Sequence, residues 1–234
     1  MGLDVYVGTL TRYHAGAWKT IVQQAMEAEG IPVRITRSNP EPADAIRDRR
    51  VIEETVRSWQ TLLADAVRRQ SGVTLSWEEG MSKPYFTDKP DWDGYAGVVL
   101  LAAYSGLGLS LPKKLDRDWQ KDKRINEAKK KRLYRQILEP EWWLPVEADL
   151  VFEGPTPSRP KVMIGSCDEL RSQLRELTTR ALHASEADLG RWRQDGPPDP
   201  NAGDLDHSSR FGLSVFAALA DKAVGERLPM LLDY

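Results

Sequence analysis

The chain opens with apolar and polar residues in alternation. Apolar residues occupy every second position from 3 to 7, which is typical of a strand with one buried face. Apolar residues then recur at helical spacing between 18 and 26, and Gly30 follows as a helix-ending residue. A second alternation covers 31–35. Residues 3–36 therefore predict a β-α-β unit, and a crossover of that length usually leaves its two strands parallel.

The longest amphipathic pattern covers residues 51–67. It places apolar side chains on one helical face, and Gly72 ends the predicted helix. Apolar residues at alternate positions in 73–77 predict a third, short strand. Residues 80–92 are rich in proline, aspartate and aromatic residues, so we interpret them as a loop.

The next two patterns are a nearly uniform apolar run and a hairpin. Residues 93–104 have almost no polar face, which predicts a buried helix capped by Asp91 or Asp93. Residues 148–152 and 161–165 read as strands, and the proline-rich segment between them predicts a β-hairpin.

Helices dominate the last part of the chain. Two capping patterns place a serine three residues before an acidic residue: Ser166 with Glu169, and Ser185 with Asp188. Each predicts a helix start. Residues 195–207 read as an acidic loop, 211–223 as a final helix and 228–232 as an apolar tail.

These elements together predict an α+β fold, with mixed α and β structure. We expect a small mixed sheet of about five strands packed with about six helices. No internal repeat or long flexible linker divides the chain, so we predict a single domain over residues 1–234, with a weak sub-boundary near 139–146.

Composition agrees with a folded core. Hydrophobic residues make up 41% of the 234 residues and charged residues 29%, with a net charge of −2, which excludes disordered and coiled-coil classes. The single cysteine cannot form an internal disulfide, and no apolar run is long enough to span a membrane. We therefore expect a cytoplasmic protein with no membrane partner.

The loop after the first strand is the first candidate site. Ligands of open parallel sheets tend to bind beyond the carboxyl ends of strands, where Arg12, Tyr13 and His14 would supply an anion clamp, a phenol and a titrating base. Asp4, on the strand itself, is either a catalytic carboxylate or an edge-strand charge. The glycine spacing of phosphate and dinucleotide loops is absent, so a packed loop without a ligand is the competing interpretation.

Residues 83–95 are the second candidate site. Tyr85, Asp88 and Trp92 belong to this dense polar and aromatic segment, which could form a binding lip. It carries only a fragment of a calcium-loop pattern, and a helix cap with anchored aromatics explains it more simply.

Two adjacent tryptophans form the third candidate. Trp142 and Trp143 occur in a segment that reads as a loop, where amphipathic rings often anchor protein interfaces. They could equally pin the loop to the core. The three histidines are far apart in sequence and Cys167 has no neighbouring base, so we expect no metal, no cofactor and no assigned catalytic residue.

Residues 113–135 form the one strongly basic segment, with a net charge of +7. The candidate basic patch within it comprises Lys121, Lys123, Arg124, Lys129, Lys130, Lys131 and Arg132. Such a patch can neutralise phosphates of nucleic acid. Interspersed acids and a pI of about 6.0 favour a solvated helix face first, a protein partner second and nucleic acid third.

Three stretches carry a family resemblance. They are the opening MGLDVYVGTLTRY, the central PYFTDKP from Pro84 and the final LPMLLDY from Leu228. They resemble a family of uncharacterised bacterial cytoplasmic proteins, and the likeness spans the chain. The resemblance implies no catalytic residues; it implies an association with toxin-immunity or other defence genes.

Three functional hypotheses result. The first is a non-enzymatic accessory or immunity-type protein that binds a protein partner. The second is a small-molecule or nucleotide-processing enzyme, in which Asp4, Arg12, Tyr13, His14 and Asp88 converge at the end of the first strand. The third is a nucleic-acid binder acting through residues 113–135. The sequence does not set the oligomeric state.

Overall fold

The computed structural model describes residues 2–32, 49–158, 161–199 and 203–234. Nine α-helices lie in this part of the chain: α1 Leu10–His14, α2 Ile21–Ala28, α3 Arg49–Ser71, α4 Asp91–Gly106, α5 Lys123–Lys130, α6 Arg135–Leu138, α7 Cys167–Glu176, α8 Glu186–Asp195 and α9 Leu205–Glu226. A 3-10 turn, Trp119–Lys121, precedes α5, and a π-helical turn, Leu177–Ala181, continues α7. The described strands are β1 Asp4–Val7, β2 Phe86–Asp88, β3 Trp142–Leu144, β4 Phe152–Gly154, β5 Val162–Ser166 and β6 Met230–Asp233.

The six described strands form one mixed sheet in the order β2-β1-β6-β3-β5-β4. Only β3 and β5 are parallel neighbours, and every other adjacent pair is antiparallel. The predicted α+β class is confirmed, with six strands where the sequence suggested about five. The hairpin is also confirmed, because Phe152 lies opposite Ile164 in the antiparallel pair β4–β5.

The predicted opening β-α-β unit is not confirmed. β1 pairs antiparallel with β2 on one side and with β6 on the other, so both of its edges are occupied. Ile31, where the second strand was expected to begin, is 42% exposed. Residues 33–36 of that expected strand lie outside the described residues.

Both faces of the sheet are covered. One face packs against α4, α7 and α9, with Val5, Val7 and Met230 in this core. The other face packs against α3 and contains Tyr6, Leu231 and Leu144. The sequence predicted only one buried face for β1, because Tyr6 is polar at its hydroxyl while its ring is buried here.

Helix α3 confirms the longest predicted helix, and Gly72 follows it with a φ of 71°, a value that a residue with a Cβ rarely adopts. Its buried positions include Ile52, Val56 and Trp59. Leu62, which the pattern placed on the same face, is 71% exposed because it lies toward the edge of the apolar stripe.

Helices α4 and α9 cross at very short range. A Cβ on Gly97 would lie 2.6 Å from the Ser209 nitrogen, and one on Gly212 would lie 2.1 Å from the Gly94 oxygen. Ser209 also donates its hydroxyl hydrogen to the Gly97 carbonyl at 3.1 Å. The glycines are therefore required for this contact, which closes the core on one face of the sheet.

Several local predictions need correction. Residues 73–77 are not a strand, although Leu75 and Trp77 are buried. The predicted loop 80–92 contains β2, and the apolar tail 228–232 contributes most of β6. An apolar run this short does not reveal whether a strand lies at the edge or in the middle of a sheet.

The helix-capping predictions are confirmed at two helices and wrong at a third. Ser185 and Asp188 form the full reciprocal capping box at α8, whereas Ser166 caps α7 through its own side chain. Helix α4 begins after Pro90 with no side-chain cap, so neither Asp91 nor Asp93 has the predicted role.

The single-domain interpretation stays a prediction. The suggested sub-boundary near 139–146 contains β3, which pairs with β5 and β6 inside the sheet. Within the described ranges, no helix has the length and apolar character needed to cross a membrane.

Candidate functional site

The chain reverses sharply after β1 and folds α1 back over one face of the sheet. Thr9 caps α1 by accepting a hydrogen bond from the Arg12 backbone nitrogen, and its hydroxyl donates to the Gly80 carbonyl at 3.0 Å. The reversal brings together a group that we call the β1-end cluster: Asp4, Tyr6, Arg12, Tyr13, His14, Trp18, Glu79, Tyr85 and Asp233.

Glu79 is the main anchor of this cluster. Its carboxylate accepts from the backbone nitrogens of Leu10 and Thr11 at 3.2 and 2.9 Å, and from Trp77 Nε1 at 2.6 Å. One side chain therefore holds both the start of α1 and the irregular segment before β2. No sequence pattern predicted this role, because Leu10 and Thr11 lie 69 and 68 residues from Glu79 in the chain.

Arg12 is also occupied by internal contacts. Its guanidinium donates to the carbonyls of Ala17 at 3.1 Å and Lys83 at 3.0 Å, and to that of Met81. The group also lies over the Tyr85 ring, 5.0 Å from its centroid. These contacts disfavour the expected anion clamp and make Arg12 a tie between α1 and the segment leading into β2.

The polar end of the cluster is a pair of carboxylates. Asp4 lies opposite Asp233 in the antiparallel pairing of β1 and β6, and Tyr13 donates its hydroxyl hydrogen to Asp233 Oδ1 at 2.6 Å. Asp4 Oδ1 is buried and makes no hydrogen bond within the described chain. Burial raises the pKa of Asp4 to about 6, and nearby Asp233 adds to the rise while Lys89 opposes it. Asp4 therefore keeps its proton to a higher pH than an exposed aspartate does.

The aromatic members pack beside these carboxylates. The Tyr6 hydroxyl donates to the Thr9 carbonyl at 2.9 Å, and burial raises the pKa of Tyr6. The Tyr13 ring lies 5.3 Å from that of Tyr6 and 5.8 Å from that of Trp18. His14 lies against Tyr13, with ring centroids 5.2 Å apart. The rings therefore pack α1 against this face of the sheet.

Asp88 and Trp92 do not join the cluster. Asp88 lies opposite Val5, on the other face of the sheet, and pairs with Arg193 of α8 at 2.6 Å. Trp92 packs its ring against Tyr95, also outside the cluster. Of the residues predicted on and after the first strand and in 83–95, the structure brings Asp4, Arg12, Tyr13, His14 and Tyr85 together and places Asp88 and Trp92 elsewhere. The Trp142 ring of β3 borders the cluster, 6.4 Å from that of Tyr13. Asp233, which no sequence pattern singled out, also belongs to the β1-end cluster.

Trp142 and Trp143 do not anchor an exposed loop. Both belong to β3, and their exposed fractions are 2% and 1%. Trp143 Nε1 donates to the Gln136 carbonyl at 2.8 Å, and the Trp142 ring lies 6.1 Å from that of Trp59. The prediction that these rings form an interface is corrected: they build the core on opposite faces of the sheet.

Metal and thiol chemistry find little support in the described ranges. No group of three or more His, Cys, Asp or Glu side chains there is placed to hold a metal ion. Cys167 is buried at the start of α7, and burial raises the pKa of its thiol. A raised pKa keeps the thiol protonated and therefore a poor nucleophile.

A second region, between α4 and α6, carries exposed charge where the β1-end cluster carries buried polar groups. Ten lysines and arginines between α4 and α6 are all exposed, and we call them the basic surface: Lys113, Lys114, Arg117, Lys121, Lys123, Arg124, Lys129, Lys130, Lys131 and Arg132. Arg135, the remaining cation of the predicted segment, is half-buried and pairs with Glu139 at 3.3 Å. It therefore lies apart from this surface.

The acidic residues of this segment are occupied locally. Glu127 pairs with both Arg124 and Lys131, and these hydrogen bonds lower the pKa of Glu127. Asp118 pairs with Lys121 at 3.0 Å. Seven cations of the basic surface form no ion pair within the described chain: Lys113, Lys114, Arg117, Lys123, Lys129, Lys130 and Arg132.

Local structure holds the basic surface in place. Ile125 and Ala128 of α5 are buried against the core beside α4. Asp122 caps α5 by accepting from the Arg124 backbone nitrogen at 2.8 Å, and it also accepts from the Tyr104 hydroxyl at 2.9 Å.

Comparison with known proteins found no matching family model, no similar curated protein and no similar solved structure.

Proposed function

We propose that this protein binds nucleic acid through the basic surface. The observation that supports this most directly is the set of seven exposed cations without an ion-pair partner among the described residues. Cations clustered on one short segment create a local positive potential even when the whole chain is nearly neutral. Phosphate groups are the natural counter-charge for such a surface.

The side-chain types favour phosphates over an acidic protein. Five of the seven unpaired cations are lysines, which are depleted in the cores of protein–protein interfaces but common in phosphate contacts. The same segment offers no exposed apolar anchor, because Ile125 and Ala128 are buried and Trp119 packs its ring edge-on against Tyr95. Protein interfaces usually depend on such anchors, whereas phosphate binding does not.

The protein-partner hypothesis has less support than the sequence suggested. It rested in part on Trp142 and Trp143 as exposed rings, and both are buried. The enzyme hypothesis required Arg12 and Asp88 to converge at the end of β1. Arg12 instead lies over Tyr85, which packs on the Tyr6 face of the sheet, whereas Asp88 lies opposite Val5, which faces the other core. An accessory or immunity-type role stays a prediction from the sequence.

Salt-dependent binding tests the proposal. A labelled DNA duplex and its single strand would be titrated with the protein by fluorescence anisotropy, from about 50 to about 200 mM salt. If all seven cations contact phosphates, the slope of log affinity against log salt should approach about −6 for the duplex or about −5 for the single strand. A slope near zero, or no binding at the lowest salt, would contradict the proposal.

Charge-reversed variants locate the surface. Lys129→Glu/Lys130→Glu should lower affinity by at least about ten-fold, because two contacts become repulsive. Arg57→Glu/Arg68→Glu on α3 makes the same change in net charge away from the surface and should have little effect. Polyglutamate of equal charge serves as the competitor. If it binds as tightly as DNA, the surface fits an acidic protein instead.

A further inference from the structure

A cavity of about 360 Å³ lies where the end of α4 meets the π-helical turn and the start of α9. Buried Leu101 and exposed Leu109 supply apolar wall, and Tyr104 supplies an aromatic ring. Ser105 and Ser110 add hydroxyl groups, and Asp206 adds a carboxylate. This is the size and mixed lining of a site for a small, flat, partly polar group.

The cavity joins the basic surface directly at one wall. The Tyr104 hydroxyl donates to Asp122 Oδ2 at 2.9 Å, and Lys121 and Lys123 are the chain neighbours of Asp122. Lys123 has no ion-pair partner within the described chain. Lys123, which could bind a phosphate, therefore follows directly after Asp122, the residue that is hydrogen-bonded to Tyr104 of the cavity wall.

A second wall meets the basic surface at its other end. The Leu205 backbone nitrogen donates to the Lys113 carbonyl at 3.3 Å, and Asp206 of the cavity is the next residue. Leu111, also in the cavity wall, precedes Lys113 by two residues, a span of at most about 7 Å. Cations thus approach the cavity from two sides.

The cavity itself is not suited to phosphate, because Asp206 would repel an anion. Asp206 Oδ2 lies 3.0 Å from Arg210 Nε, which leaves Oδ1 to accept another hydrogen bond. The exocyclic amine of a nucleobase is a donor of this kind, as in carboxylate recognition of the cytosine amine. The flat faces of a base match the apolar and aromatic wall.

We infer that this cavity holds one unstacked base of a single-stranded nucleic acid while the adjacent phosphates lie on the basic surface. The inference rests on the proposed function and specifies the class of strand. A base in a duplex is stacked and paired, so it would have to leave the helix, whereas a single strand presents it at little cost.

The test compares two probes that have the same phosphates. One is a short oligodeoxycytidine, and the other is an oligomer of equal length in which every base is absent. The base-bearing probe should bind about ten-fold more tightly, since stacking and a hydrogen bond add to the phosphate contacts. Fluorescence anisotropy at fixed low salt measures both affinities.

A cavity-filling variant supplies the second arm. Ser110→Leu places a bulky aliphatic side chain without a stacking face at the exposed rim. It should remove the difference between the probes while leaving the affinity for the base-free oligomer unchanged. Ser58→Leu, at an exposed position of α3, is the matched control and should keep the ten-fold difference. Thermal melting confirms that both variants are folded.

The outcomes separate this inference from the proposed function. Equal affinity of the unsubstituted protein for both probes overturns the base site and leaves phosphate binding intact. A probe difference that survives in Ser110→Leu also overturns it. If neither probe binds at low salt, the proposed function itself fails.

Discussion

The β1-end cluster and the basic surface are both rich in charge, yet they use it in opposite ways. In the cluster, Arg12 donates to carbonyl groups and Glu79 accepts from backbone and indole nitrogens. Most of the polar capacity there is used, although Asp4 Oδ1 and Arg12 Nε are buried without a hydrogen bond in the described chain. On the basic surface, side chains such as Lys129 and Lys130 have no ion-pair partner within the described chain. Convergence of polar residues is therefore weaker evidence for a site than exposed charge without a partner, and the following substitutions test that distinction.

Arg12→Ala should cause the largest loss of stability. It removes a charged donor from the carbonyls of Ala17, Met81 and Lys83 and leaves them without that partner, at a cost of about 3 kcal/mol. Urea denaturation measures the change. Arg57→Ala on the exposed face of α3 is the control. A loss below about 1 kcal/mol would show that the cluster does not depend on Arg12.

Glu79→Gln should cost about 2 kcal/mol. The amide keeps one acceptor oxygen but turns an NH₂ group toward the backbone donors of Leu10 and Thr11. Its neighbour Glu78, an exposed residue paired with Lys83, provides the matched control. If Glu78→Gln destabilises the protein equally in the same urea titration, the anchoring role of Glu79 is refuted.

Asp4→Asn should stabilise the protein by about 1 kcal/mol near pH 7. The folded pKa is raised, from 3.8 to about 6, so the folded state holds a proton that the unfolded state releases between those values. Stability therefore falls as pH rises through this window. The gain is less than the full shift implies, because Asp4 is half-buried and water screens its charge.

A pH series of thermal melts measures this effect. The Tm difference between Asp4→Asn and the unsubstituted protein should grow from pH 4 to pH 7, whereas Asp65→Asn on the exposed side of α3 should not show that trend. A difference that is constant across the series would contradict the raised pKa of Asp4.

Lys129→Ala/Lys130→Ala should have the smallest effect on stability, within about 0.5 kcal/mol. Neither side chain forms a hydrogen bond or ion pair in the described structure, and alanine is a good helix former at the end of α5. The same variant should bind nucleic acid more weakly. A large drop in Tm would show that these lysines serve the fold.

Sequence patterns predicted what depends on near neighbours. The helix pattern at α3, the alternation at β1 and the capping box at Ser185 are local, and each is confirmed. Burial of Trp142 and Trp143 depends instead on strands that are distant in the chain, so their context misled the prediction.

The candidate site was less predictable than the fold. Asp4 meets Asp233 only because β1 and β6 are neighbours, and no spacing rule links residues so far apart. The cations of the basic surface were visible in sequence, but their lack of partners was not. Whether an acid is available to a nearby lysine depends on helix capping and side-chain geometry, as Asp122 and Glu127 illustrate.

The position of β6 has a consequence for biosynthesis. This strand is made after all the other described strands, yet it is the one that joins β1 and β2 to β3, β5 and β4. As the chain leaves the ribosome, the edges of β1 and β3 that later pair with β6 remain unpaired until β6 emerges. Nascent chains stalled before Met230 should therefore be protease-sensitive and prone to self-association, the usual outcome for unpaired strand edges.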